Sequence, residues 1–81
     1  MKKENITQEN KNEHYLPMKE FTHREKRIAV YLLYGKTRAQ IAEALAISEN
    51  TVKTHTQHIY EKTEVNSQKE FMIKYLIDSN I

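Results

Sequence analysis

Asn50, Lys53, Thr54 and Gln57 stand three, one and three residues apart, the spacing that gathers side chains on one face of an α-helix. They make an unusual solvent face. Exposed helices favour Glu and Lys paired four apart, whereas Thr and Asn are weak helix formers. Amide and hydroxyl groups beside an ammonium do match the edges of bases in a DNA major groove. Gln and Asn can bond adenine N6 and N7, Lys favours guanine O6 and N7, and the Thr methyl can touch that of thymine. Residue types alone leave a plain solvated face open as the alternative.

Such a face needs a helix, and the helix needs a scaffold. Ser48 is a helix cap, and helix three is expected over about 49–63 with Val52, Thr56, Ile59 and Thr63 inward. Thr37 through Gln40 form a capping box opening helix two at 38–45, which buries Ile41, Ala42 and Leu45. The short Ala46-Ile47 connection between these helices predicts a helix-turn-helix. Thr22 through Glu25 form another capping box, stapled by Phe21, for helix one. That helix should bury Ile28, Tyr31 and Leu32 and run to about Tyr34, with Gly35 at its left-handed end. Ser67 through Glu70 form one more box, opening helix four at about 68–78. Residues 21–81 thus read as one all-α, four-helix domain. Residues 1–20, rich in Asn, Lys and Glu without apolar periodicity, read as a mobile tail from which Tyr15, Leu16 and Met18 can dock.

The 81 residues carry one Gly, one Pro and no Cys, with a net charge of +2. Lack of Cys excludes disulfides and thiolate metal sites and fits a reducing cytoplasm. No apolar run approaches the ~20 residues of a membrane span, and no hydrophobic segment follows Met1-Lys2-Lys3 as a secretion signal would require. Arg24, Lys26, Arg27, Lys36 and Arg38 outnumber Glu25 and Glu43 across the first two helices, a local basic excess that suits a polyanion. His55 and His58 lie three apart, but no third ligand obviously converges, so no metal site is expected. They read as a half-buried packing residue and a solvent or phosphate contact. There is no Gly-rich phosphate loop, Cys nucleophile or paired-carboxylate constellation, so neither an enzyme nor a cofactor is expected. Tyr31, Tyr34 and Tyr60 read as core or half-buried residues rather than stacking platforms.

From Phe21 to Ser67 the chain resembles the LuxR/GerE-type helix-turn-helix domain. The marks are Phe21-Thr22 with Arg24-Glu25, Tyr34-Gly35, "IAEALAIS" at 41–48 and "NTVKTH" at 50–55, then Ile59, Lys62 and Val65. The resemblance spans about residues 21–77. It implies a transcription regulator that binds DNA as a dimer, with helix three as recognition helix. Base-reading positions then fall at Lys53, Thr54 and Gln57, beside the outward Asn50. Backbone-anchoring positions fall at Lys36, Thr37, Arg38, Ser48, Thr51, His55 and Lys62, with His58 on the same flank. Free amides at helix starts and nearby cations attract phosphates. The chain departs from the family at Thr63-Glu64, where Leu-Gly is usual, and at Gln68, where Arg is common. Left-handed Glu costs about 1 kcal/mol more than Gly, so helix three is expected to end differently, and Thr63 to weaken the core stripe.

Helix four is apolar around most of its circumference, at Phe71, Met72, Ile73, Tyr75, Leu76 and Ile77. Part of that belt needs cover. The resemblance makes it a dimer contact, expected at Met72, Ile73 and Leu76, on a palindromic site. The rival reading is the last core element of a monomer. The chain is too short to hold an input domain beside this one, which suggests a standalone regulator or a separated output domain. Two further readings remain: an antagonist pairing through helix four with a larger regulator, and a likeness to the fourth region of sigma factors, which would add RNA polymerase as a partner.

Overall fold

The computed structural model describes residues 16–77. Four helices follow in order: α1 (His23–Leu33), α2 (Arg38–Leu45), α3 (Glu49–Thr63) and α4 (Gln68–Met72), the last continuing as wider π-helical turns over Ile73–Ile77. The described part of the expected tail is ordered. Met18–Glu20 form a single 3-10 turn, Leu16 packs against the core and Met18 stays exposed. Tyr15 and the remainder of the tail lie outside the described residues, as do residue 78 and the side chain of Leu76.

Each α-helix starts where its cap residue stands. The Thr22 hydroxyl accepts from the Glu25 amide at 3.1 Å and the Glu25 carboxylate accepts from the Thr22 amide at 2.9 Å. Thr37 and Gln40 repeat that exchange, and Ser48 accepts from the Thr51 amide. The fourth box is only half formed. Ser67 accepts from Glu70, but the Glu70 carboxylate reaches the Asn66 amide, one residue upstream of its expected partner.

The helix ends share one device. Gly35, Ala46 and Glu64 all adopt the left-handed conformation, with φ of 76°, 58° and 60°. After each, an amide reaches back five residues: Lys36 to Tyr31, Ile47 to Ala42 and Val65 to Tyr60. The expectation that helix three would end differently for want of Gly is therefore corrected. Residues beyond these corners supply the reason, because an apolar side chain there packs back onto the helix it leaves. Val65 is buried and Ile47 lies against the core. That packing and the closed carbonyls offset the roughly 1 kcal/mol of a left-handed side chain.

Phe21, Ile28, Ala29, Leu32, Ile41, Ala42, Leu45, Val52, Ile59, Val65, Phe71 and Tyr75 form the core. Tyr31, expected inside, is half-buried, and Ala29 takes the interior place. Thr63 does sit in the core stripe of α3. Its hydroxyl donates to the Ile59 carbonyl at 2.7 Å, so the buried oxygen is satisfied within the helix. Lys74 donates to the Thr63 carbonyl and so caps the end of α3.

Among the described residues, one charged side chain is inside. Glu25 is only 2% exposed. Lys62, 37 residues further along the chain, donates to its carboxylate at 2.7 Å and to the Glu20 carbonyl at 2.7 Å. Burial pushes the Glu25 carboxyl up, but the Lys62 hydrogen bond, the Thr22 amide and the charges of Lys62 and His58 outweigh it, and the net shift is below its usual 4.5. A carboxylate lowered by folding stabilises the native state above its unfolded value, and that contribution is lost as pH falls through the folded value.

Two outcomes follow for stability. Glu25→Ala should cost about 2–3 kcal/mol in urea unfolding at pH 7, below the range for fully buried pairs because Lys62 keeps some water. Its stability should also fall less than the wild type's as pH drops below about 4.5; parallel pH profiles would contradict the assignment. Glu64→Gly should raise stability by about 1 kcal/mol, read as a higher thermal midpoint.

Candidate nucleic-acid interface

α3 divides along its length. Val52, Ile59 and Thr63 are buried, and His55, Thr56 and Tyr60 are half-buried. Asn50, Thr51, Lys53, Thr54, Gln57, His58 and Glu61 are exposed. The four residues expected to read bases therefore share one open face of a continuous 15-residue helix. No ion pair involves Lys53 among the described residues. The Thr54 hydroxyl donates to the Asn50 carbonyl at 3.1 Å. Its proton is thus engaged within the helix, and Thr54 offers a ligand its methyl group and an oxygen lone pair.

The expected phosphate ligands occupy several surroundings. Lys36, Thr37 and Arg38 are exposed around the start of α2. The capping box engages the Thr37 and Gln40 amides, leaving those of Arg38 and Ala39 without an intrahelical acceptor. Ser48 and Thr51 close on each other, with hydroxyls 2.8 Å apart. His55 is half-buried, and its Nδ1 is buried with no partner among the described residues. His58 is exposed but leans toward α1, its Nδ1 3.7 Å from the Glu25 carboxylate. Lys62 departs from expectation: its ammonium is held by Glu25 and the Glu20 carbonyl, because a buried carboxylate outcompetes solvent for the nearest cation.

The expected partner-facing residues separate as well. Ile73 is 39% exposed, whereas Met72 is half-buried and turned toward the Gly35 corner. A Cβ added at Gly35 would lie 3.7 Å from the Met72 methyl.

Two residues outside the expected set help build the surface. Gln68 uses its side-chain amide to donate to both the Leu32 and Lys36 carbonyls at 3.0 Å, pinning α4 to the α1–α2 connection. In place of the family's cation it supplies a brace. Tyr60 packs its ring 6.0 Å from that of Phe71. Together with Lys36, Arg38 and Thr56 they rim a cleft of about 270 Å³ over Leu32, Ile41 and Val52. Tyr60 lies four residues after Thr56 and eight after Val52, a spacing that reads as core packing, so sequence periodicity hid it. Among the described residues no group of three or more His, Cys, Asp or Glu gathers as a metal site would require, and no helix is long and apolar enough to cross a membrane.

Comparison with known proteins gives the family. Residues 19–74 match the family of bacterial regulatory proteins of the luxR type, GerE. The transcriptional regulatory protein YhcZ of Bacillus subtilis is 40% identical over 78 residues, covering 88% of this chain and 36% of that protein. The CsgBAC operon transcriptional regulatory protein of Escherichia coli is 45% identical over 49 residues, covering 60% of this chain and 23% of its own length. The regulatory protein SdiA of Escherichia coli is 46% identical over 46 residues, covering 57% of this chain and 19% of its own. The chain thus spans about a third or less of the length of these relatives. With a four-helix arrangement, a helix-turn-helix at α2–α3 and this match, the chain belongs to the LuxR family of bacterial regulatory proteins, as the DNA-binding domain of a transcriptional regulator.

Proposed function

We propose that the domain reads double-stranded DNA by seating α3 in the major groove, and that it regulates transcription in the cytoplasm as a homodimer on a palindromic site. The observation that carries this reading is the exposure of Asn50, Lys53, Thr54 and Gln57 along one side of a helix whose other side is buried. Lys53 and Gln57 carry the donors and acceptors that distinguish base pairs, Thr54 offers a methyl, and Asn50 reads or positions at the entering end. Lys36, Thr37 and Arg38 hold one stretch of sugar–phosphate, with Ser48, Thr51, His55 and His58 along the other flank. These contacts set register without reading sequence. Lys62 is left out of the set, since it is engaged by Glu25.

The dimer rests on Ile73, a large apolar side chain left 39% exposed where α4 widens. Such a surface gains from a partner's cover, and two-fold pairing would place two α3 helices on successive turns of the duplex. The same exposure favours a second reading, an antagonist that pairs through this helix with a larger regulator. The exposed Glu61 and Glu64 at the far end of α3 weigh on that side, because carboxylates repel phosphate.

Selection of bound sequences from a random duplex pool at stated salt separates the two: a palindromic motif supports the first, and failure to enrich any sequence rejects it. On the selected site, Gln57→Ala should lose about 1–3 kcal/mol of discrimination at one base pair. Lys36→Ala should weaken binding to every sequence alike and lower the salt dependence by about one phosphate contact. Ile73→Glu should leave the thermal midpoint near the wild type's while shifting the protein to monomer in sedimentation; an unshifted oligomer would remove α4 from the interface.

A further inference from the structure

The cleft between the start of α2 and the side of α3 has features that base reading does not use. Its rim carries two cations, Lys36 and Arg38, and neither forms an ion pair among the described residues. Tyr60, which carries a phenol hydroxyl, lines the same cleft. The Arg38 charge acts on that hydroxyl. Burial raises the Tyr60 ionisation above its usual 10, and the Arg38 charge opposes the rise. The phenol therefore keeps its proton at neutral pH and is a hydrogen-bond donor.

The rim is also braced. Gln68 pins the Lys36 carbonyl, the Thr37–Gln40 box fixes the start of α2, and Phe71 backs the Tyr60 ring. Leu32, Ile41 and Val52 beneath are 4%, 0% and 1% exposed, so the floor offers little apolar surface and the groups a ligand meets are those of the rim. What fits is a small, polar, negatively charged group.

Resting on the DNA-binding reading above, we propose that Tyr60, Arg38 and Lys36 form a seat for one phosphate oxyanion, the DNA backbone being its source, and that Tyr60 is a phosphate-binding residue of this domain. The phenol donates to one phosphate oxygen while the two cations supply charge. Because the donor sits on α3 and the cations on the α1–α2 connection and α2, one phosphate spans the two helices of the helix-turn-helix. It thereby sets the angle at which α3 enters the groove.

The test is Tyr60→Phe, which removes one oxygen and keeps the ring against Phe71. On the selected duplex at fixed salt, it should weaken binding roughly five- to tenfold, by the same factor on unrelated duplexes, with an unchanged thermal midpoint. Replacing the contacted phosphate by a neutral methylphosphonate should bring the wild type and Tyr60→Phe to equal affinity. If Tyr60→Phe binds as tightly as the wild type while Lys36→Ala does not, the seat is refuted and the DNA-binding reading stands. If the wild type binds no duplex, that reading falls. The seat is then decided by titrating inorganic phosphate into the free protein and following amide NMR shifts. Saturable shifts at Lys36, Arg38 and Tyr60 that vanish in Tyr60→Phe support a seat filled by free phosphate, and their absence refutes it.

Discussion

A carboxylate almost wholly withdrawn from water holds the third helix in place. Glu25 belongs by sequence to the first turn of α1, where it completes a capping box with Thr22. Its oxygen also accepts from Lys62 near the end of α3. A charge so placed destabilises the fold if left unpaired, and its partner and surrounding hydrogen bonds must be kept. The orientation of α3 is thus tied to the start of α1 by a contact with strict geometry. This matters because α3 contributes few apolar side chains to the core. Val52 and Ile59 are buried, and Thr63 joins them only by satisfying its hydroxyl inside the helix. With so narrow a stripe, dispersion and burial alone would leave the helix free to roll. The ion pair at one end, the Ile47 plug and the Ser48 cap at the other, and the Lys74 bond to Thr63 limit that freedom.

The corners carry a second economy. The chain has one glycine, yet three left-handed helix ends occur among the described residues. Two of them use Ala46 and Glu64, at positions where a side chain is disfavoured, and each is followed by an apolar residue that packs back. The helix-turn-helix angle passes through the first of these corners, and the turn into α4 through the second. Tight turns at both sites keep α2, α3 and α4 close enough for Gln68 and Tyr60 to reach a common cleft.

The surface that results has two zones on adjoining sides of α3. An open face carries neutral hydrogen-bonding groups beside Lys53. A recessed rim carries cations and a protonated phenol. The first suits varied base edges, whose patterns of donors and acceptors differ from pair to pair. The second suits the invariant charge of a backbone. On the reading proposed above, one docking geometry would serve both.

Much of this was legible along the chain. Thr22, Thr37, Ser48 and Ser67 marked helix starts because capping is a contact between residues three apart, which sequence displays directly. The open face of α3 followed from 3.6-residue periodicity for the same reason. Expectation fell short where the deciding contact is long-range. Lys62 reads as a backbone anchor, and its contact with Glu25, 37 residues away, was not legible. Glu64 was expected to make helix three end differently until Val65 was seen to be buried. Tyr60 is half-buried, as its spacing indicated, but spacing did not show that it shares a cleft with Lys36 and Arg38. The residues by themselves determined which segments are helical and which sides face water, since both are set by neighbours within a turn. Only the folded chain decided which charges pair and which groups converge on a cleft, since those depend on distances between helices that no local spacing encodes.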